Sequence, residues 1–388
     1  MKVILFDTPS SRKGLFPFTA IRAVAELRTG IFTIRERWNR LLNIEPSILT
    51  EDYLLHSIEE TTDAFLYINA AALPGEQLPF LIQDLKLNEG YMQNGQMIAF
   101  KSIVQLSYGF DANDCKEVQW KEYPHQLSLL VYPFHILTAA HQLMELDFKL
   151  ITHNRLTSPH SLTNNIINAT NVFIEKGAVV EYCTINATDG FVYIGKDVLL
   201  MEGTMIRGSC ALLEKSVVKM GAKIYGTTIA GKQCTLGGEI KNTVFFDYSN
   251  KAHDGYLGDA VIGSWCNIGA GTSASNVKNT AGEVKLWNPL LHHWINAGTK
   301  CGVMMGDYSR TGINTALNTG TVTGICCNIV SDGWPPKYIS HFAWNTHTGE
   351  KYVFEKAMDA IENWEKMKLQ ATDETEKAIL QYIYNSTL

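Results

Sequence analysis

The chain has 388 residues, of which 46% are hydrophobic and 19% charged, and its formal net charge is -6. This length exceeds what one hydrophobic core usually fills, so more than one domain is expected. The acidic balance argues against a general nucleic-acid binder, and the richest apolar stretch, Leu127 to Leu137, contains Pro133 and His135 and is too short to span a membrane. The N-terminus opens directly as a strand, MKVILF, without a signal-peptide pattern, so a cytoplasmic protein is expected. Eight cysteines form no CxxC pair and read as small buried thiols rather than a zinc or disulfide framework.

Residues 1–160 read as an α/β domain. Val3 to Phe6 is a compact buried strand, followed by a loop with Pro9, Gly14 and Pro17. A helix is expected from Ala20 to Gly30, where glycine suits the left-handed cap. Further strands at Ala64 to Ile68, Met97 to Phe100 and Leu127 to Val131 suggest a mainly parallel sheet with its site at the carboxyl ends. His135, His141, His153 and His160 have no consistent metal-ligand spacing and read as isolated hydrogen-bonded histidines, so no metal ligand set is assigned.

The segment GLFPFTAIRAVAELRTGIFTIRERW resembles the opening of a sugar nucleotidyltransferase family, on Leu15, Pro17, Thr19, Arg22, Glu26, Arg28, Gly30, Glu36 and Trp38. The resemblance implies a nucleotide-binding domain that uses UTP or dTTP with magnesium. Where characterised members carry a glycine-rich phosphate turn, this chain has DTPSSRKG, which leaves Arg12, Lys13 and Arg22 as the candidate phosphate contacts. Asn69 stands where active members have a magnesium-holding aspartate; a carboxylate is the better hard-cation ligand. The domain therefore reads either as a transferase or as a degenerate domain that binds nucleotide or merely packs. Arg22, Glu26 and Arg28 also fit a solvated helix face.

After a polar connection from Leu156 to Asn165, residues 161–333 follow a six-residue beat. Irregular hexads pass through Val172, Ile174, Val180 and Ile185, then lock in at Ile194, Leu200, Ile206, Leu212, Val218 and Ile224, lapse at Ala230 and resume at Leu236. Two residues ahead of each stands a small or β-branched one: Val192, Val198, Thr204, Cys210, Ser216, Ala222, Thr228, Cys234. Neither helix nor alternating strand has this period. Three such hexads make one triangular coil of a β-solenoid. The register breaks between Leu236 and Ile262.

Across that break, TMIRGSC, GGEIKN and NKAHDGYLGDAVIGSWCNIGAGTSASN resemble the acetyltransferase half of the N-acetylglucosamine-1-phosphate uridylyltransferase/glucosamine-1-phosphate acetyltransferase family. The resemblance implies a left-handed parallel β-helix that forms a homotrimer with sites between subunits, acetyl-CoA lying along a coil seam, and an amino-sugar phosphate as acceptor. Carried over by position, His253 is the general base, a role that suits imidazole because its ordinary pKa is near neutrality. Arg207 and Lys241 grip the phosphate, Tyr256, Asn267 and Asn276 contact substrate, and Ala270 admits the coenzyme. The family's Asn-Tyr-Asp-Gly is replaced by NVKNTAGEVK, so its nearby lysine corresponds to Lys278, to Lys285 or to neither.

Beyond Trp287 the hexads are expected to resume through Ile295, Cys301, Ile313 and Ile325, and to end at DGWPPK. Residues 334–388 then form a helical extension: Phe354, Ala357, Met358, Ile361, Trp364 and Met367 or Lys368 have helical spacing, and Asp373 with Glu376 suits a capping box. The reading is an acetyl-CoA-dependent N-acetyltransferase joined to a divergent nucleotidyltransferase domain. A nucleotidyltransferase, alone or bifunctional, and a non-catalytic sugar-nucleotide-binding trimer are the alternatives.

Overall fold

In Lys2–Phe6 (β1), Val3, Ile4, Leu5 and Phe6 are wholly buried, so both faces of this strand need cover and it belongs inside a sheet. The computed structural model, which describes residues 1–58, 64–345 and 349–386, places it there. The chain divides into two compact units, 1–27 with 32–132 and 28–31 with 133–388.

The first unit also contains helices Pro9–Gly14 (α1), Ile34–Leu42 (α2) and Leu78–Gln83 (α3). Its remaining strands are Ser47–Leu49 (β2), Phe65–Asn69 (β3), Glu89–Gln93 (β4), Gln96–Ser102 (β5) and Gln119–Glu122 (β6). The sheet order is β2-β1-β3-β5-β4-β6. It is mixed rather than mainly parallel, because β5 runs antiparallel to both β3 and β4. The cause is local: Asn94 and Gly95, at φ 50° and 76°, make the two-residue turn that favours a hairpin. The strand expected at Leu127 to Val131 reduces to one bridge from Leu129 to Ala72.

No α-helix forms from Ala20 to Gly30, where the helical backbone is confined to one 3-10 turn, Val24–Glu26. Ile21, Ala23, Val24, Ala25 and Leu27 are all buried, so the segment lacks the exposed face of an amphipathic helix. Its backbone is held by side chains instead: Asp7 accepts from the Val24 amide, and Arg12 donates to the Thr19 and Arg22 carbonyls. The helix comes later, at α2, where Thr33 and Glu36 form a reciprocal capping box and Asn43 closes the end at φ 53°. α1 occupies the stretch expected as a loop.

The second unit opens with the helix His135–Thr152 (α4) and continues as a left-handed parallel β-solenoid with three faces. One face stacks Val172–Ile174, Val192–Ile194, Cys210–Leu212 and Thr228–Ala230 in parallel register. The second stacks Val179–Val180, Leu199–Leu200, Val217–Val218, Thr235–Leu236 and Asn250–Lys251. The third stacks Asn165–Ile167, Thr184–Asn186, Met205–Arg207 and Lys223–Tyr225. Glu239–Phe245 and Tyr256–Ile262 then pass from the third face around into the first.

Every aliphatic hexad residue from Ile194 to Leu236 is at most 2% exposed, which confirms the internal column. The small column lies where coils turn, and its hydroxyls satisfy corner carbonyls. Thr204 Oγ1 donates to Met201 at 2.7 Å, and Ser216 Oγ to Leu213 at 2.6 Å and to Gly231 in the next coil at 2.9 Å. All eight cysteines are buried free thiols.

Past Ala274 the coil is interrupted by an antiparallel hairpin, Lys285–Asn288 with His293–Asn296. The ladder resumes when Met304 pairs with Val261 and Ala316 with Ser273. The interior hexads are Met305, Thr311, Leu317, Thr323 and Ile329, not the expected set. Ile295 belongs to the hairpin, Ile313 is 74% exposed, and Cys301 and Ile325 are buried outside the interior column. Pairing also continues past DGWPPK, with Tyr338–Ile339 parallel to Val322–Thr323.

Two helices follow, Phe354–Met367 (α5) and Glu374–Ser386 (α6). In α5 the buried stripe ends at Glu365, which accepts from Thr372 Oγ1 at 2.6 Å, while Met367 is exposed. Asp373 caps α6 by accepting from the Thr375 amide rather than from Glu376. Among the described residues, no helix is long and apolar enough to cross a membrane.

Candidate functional site

Side chains alternate along a strand, and on the third face the middle residue of each three-residue strand points inward and its flanking residues outward. On the third face the inward residues are Ile206, Ile224, Ile240 and Leu257. The outward neighbours just after them are Arg207, Tyr225, Lys241 and Gly258, joined rung to rung. Arg207 and Lys241 therefore stand two rungs apart, about 10 Å at the usual strand spacing. Lys241 Nζ lies 5.8 Å from the centre of the Tyr225 ring, and Arg207 contacts Asp189 at 3.3 Å. Tyr225 donates to Glu239 at 2.6 Å, and that bond is the main cause that pushes its phenol up to about 12.

This column lines a cavity of about 640 Å³. Asp189, Asn242 and Asp259 line it from the coil, Thr138 and His141 from α4, and Ala297 and Lys300 from the segment after the hairpin. His141, one of the isolated histidines of the sequence, makes a 3.0 Å hydrogen bond between its Nδ1 and Thr227 Oγ1.

Asp259 ties this cavity to two other expected residues. Its carboxylate accepts from Asn242 Nδ2 at 2.7 Å and from Asn276 Nδ2. Burial pushes the neighbouring Tyr256 phenol upward, and the Asn276 amide acts in the opposite direction. A Cβ at Gly258 would fall 2.2 Å from the Tyr256 oxygen, so glycine is what lets the phenol lie across the face. Arg207, Lys241, Tyr256 and Asn276 thus belong to one connected surface.

His253 is exposed at the corner between the second and third faces. The pairings Asn250 with Asn267 and Leu257 with Ala274 bracket this corner, so Ala270 occupies the equivalent place one coil on. The small residue expected to admit a coenzyme thus stands directly beyond the expected base. Asn267 is elsewhere: it lies in the second face, bridged between Asn250 and Arg310. Lys278 lines a separate cavity of about 340 Å³ with Val277, Trp334 and Lys337, and Lys285 is exposed on the hairpin.

In the first unit two of the expected nucleotide contacts, Arg12 and Asn69, are engaged in the fold. Arg12 is 4% exposed; it donates to Asp7 at 3.0 Å, Thr50 at 3.1 Å, Tyr53 at 2.8 Å and the Thr19 carbonyl at 2.6 Å. Burial pushes the Asp7 carboxyl up, against the Arg12 guanidinium that favours its charge. A phosphate role for Arg12 would require breaking this cluster. Lys13 is exposed and Arg22 is half-buried, whereas Arg28, which belongs to the second unit, is no solvated helix residue, being buried with Asp247 at 3.1 Å.

Asn69 ends β3 with both halves of its amide engaged: Nδ2 donates to the Met97 carbonyl and Oδ1 accepts from the Ala71 amide, each at 2.9 Å. Asp7 is enclosed by Arg12, Thr50 and Val24. These residues do not fit a magnesium site at the end of β3. Among the described residues no cluster of three or more His, Cys, Asp or Glu has the arrangement of a metal site.

Sequence reasoning overlooked Tyr225, Asn242, Asp259 and Lys300. Tyr225 was legible, since it follows Ile224 as Arg207 follows Ile206. Asp259 stood inside the quoted string, and Asn242 and Lys300 join only through the coil's closure and the insertion.

Residues 3–156 match the family model described as sugar nucleotidyl transferase. Over 106 residues the chain is 34% identical to a Thermodesulfovibrio yellowstonii protein named bifunctional protein GlmU, covering 23% of this chain and 24% of that one. Over 142 residues it is 29% identical to a bifunctional sugar-1-phosphate nucleotidylyltransferase/acetyltransferase of Sulfurisphaera tokodaii, covering 36% and 35%. A Xanthomonas campestris bifunctional protein GlmU is 29% identical over 186 residues, covering 45% and 34%. The chain spans about a quarter to a third of the length of these relatives. The solved acetyltransferase NeuO, described as polySia-specific, superposes with a TM-score of 0.21 at 12% identity over 52% of this chain and 91% of that one, a likeness too slight to bear on the site. The architecture is that of a nucleotidyltransferase-type domain joined to a hexapeptide-repeat, acetyltransferase-like domain.

Proposed function

We propose that the solenoid transfers the acetyl group of acetyl-CoA to the amine of an amino-sugar phosphate such as glucosamine 1-phosphate. The observation that carries this reading is the outward column Arg207, Tyr225, Lys241 on one ladder, lining a cavity of about 640 Å³. A guanidinium and an ammonium two rungs apart suit one phosphate between them, as forked and point-charge donors. Tyr256 and Asn276, close together beside Asp259, offer hydroxyl and amide groups to the sugar.

His253 is the proposed base. On the coil that carries His253 the outward column is reached at Gly258, which pairs with Lys241, so base and cations stand on neighbouring coils of one ladder. The imidazole takes a proton from the amine as nitrogen attacks the thioester carbonyl. The new C–N bond forms, the C–S bond breaks, and the departing sulfur leaves as the coenzyme thiol once protonated. Ala270, one coil beyond, leaves room for the thioester arm. A homotrimer completing the site is part of the proposal, and a monomer by light scattering at assay concentration counts against it. Magnesium-dependent nucleotidyl transfer is not part of it, because Asn69 and Arg12 are engaged within the first unit.

The test is thiol release from acetyl-CoA with glucosamine 1-phosphate. His253→Ala is expected to lower the rate by about 10² to 10⁴ without shifting the melting temperature. No release across a panel of amino-sugar phosphates overturns the reading. Pyrophosphate release on adding UTP or dTTP with magnesium would return nucleotidyl transfer to the first unit.

A further inference from the structure

The second face has an aliphatic interior column, Val180, Leu200, Val218, Leu236 and, beyond the break, Ile268. The residue between Leu236 and Ile268 in that register is Lys251. It is 1% exposed, in a position where every neighbour above and below is apolar. A buried ammonium is costly unless its protons find acceptors. Lys251 Nζ donates to the carbonyl of Gly237 at 3.4 Å and to the carbonyl of His253. Burial pushes its pKa down to about 8, with Asp254 acting in the opposite direction.

The reason a lysine is needed lies in the corners. After Leu200 and Val218 the corner is a closed turn, in which Thr204 donates its amide to Met201 and Ala222 to Lys219. In the first of these the Thr204 hydroxyl adds a second bond. After Leu236 the corner shrinks to Gly237 and Gly238, because the next strand begins at Glu239. There is no room in it for such a turn. One coil on, the small-column place is taken by Gly255, at φ 121°, where a Cβ would fall 2.1 Å from the Thr272 carbonyl oxygen. No hydroxyl-bearing side chain fits there. The ammonium of Lys251 serves both defective corners at once, and one of them carries His253.

We propose that Lys251 is a positioning residue for acyl transfer: from inside the solenoid it clamps the main chain of His253 to that of Gly237 and so sets where the imidazole stands. The inference rests on His253 being the base. The Lys251 side chain is enclosed within the solenoid, away from the surface that substrate and coenzyme approach. An ionic hydrogen bond from the rigid column replaces the turn that would otherwise fix this corner, and it does so without filling the surface the substrates approach.

Lys251→Met tests it, since methionine matches the apolar column in length and shape. Thiol release is the readout, on the full chain, with melting temperature and both KM values measured alongside. The expected result is a kcat lower by about 10- to 100-fold with KM for the sugar phosphate nearly unchanged, as for a base displaced by a fraction of an ångström to an ångström. In a His253→Ala background the same substitution is expected to have no further effect, which a merely structural role would not produce. Lys251→Gln keeps a donor and is expected to recover part of the rate; it carries the test if Lys251→Met does not fold. Full kcat in either folded variant overturns the inference, as does an equal further loss in the His253→Ala background. An inactive wild type would instead overturn the acetyltransferase reading, and active wild type with an unaffected His253→Ala would remove the base.

Discussion

Arg12 in the first unit and the Arg207–Lys241 pair in the second are held in opposite ways. In the first, Arg12 and Asp7 meet inside, at 4% and 2% exposure, and their bonds knit α1 to the segment after it. On the solenoid, Arg207 and Lys241 stand outward on a ladder whose stability lies in an apolar column behind them. A side chain that stabilises the fold by being enclosed is committed to the fold. One carried on a frame stable without it remains available for a ligand.

The largest effect that would sharpen this contrast is on stability. Arg12→Ala leaves Asp7 buried without its cation and is expected to cost the first unit about 3–5 kcal/mol, read by denaturant unfolding. A cost below about 1 kcal/mol would break the comparison. Arg207→Ala should leave the melting temperature unchanged and raise KM for the sugar phosphate by about 10- to 100-fold, the worth of a charge-assisted bond of about 1.5–3 kcal/mol. An unaltered KM would place the phosphate elsewhere. Asn69→Asp is the smallest test: the carboxylate cannot donate to the Met97 carbonyl, so a loss of about 1–3 kcal/mol is expected with no gain of pyrophosphate release. Magnesium-dependent release from that variant would show that the end of β3 adapts to a metal after all.

What could be read in the chain follows from how local the cause was. The hexads from Ile194 to Leu236 were legible because each aliphatic residue faces the same interior, whatever its neighbours do. The later coils were not, because Thr311 and Thr323 hold interior places and the hairpin shifts the count. Ala20 to Gly30 misled for a different reason: its backbone answers to Asp7 and Arg12, residues outside the window. The site was half legible. Arg207, Lys241, Tyr256 and Asn276 fall on one connected surface and His253 beside Ala270, while Asn267 sits on another face and the role of Asp259 as their link needed the coil closed.

The hairpin has a consequence of its own. The chain leaves the third face at Ala274 and re-enters the first at Met304, yet Ser273 still pairs with Ala316 and Val261 with Met304, as if nothing intervened. The excursion is thus a cassette in a socket: loop-closure entropy grows only slowly with length, so its exposed turn can lengthen at little thermodynamic penalty while Val284, Leu286 and Ile295 hold it down. Since Ala297 and Lys300 reach the wall of the 640 Å³ cavity, a change in the cassette reshapes that wall while the ladder behind it stays as it is.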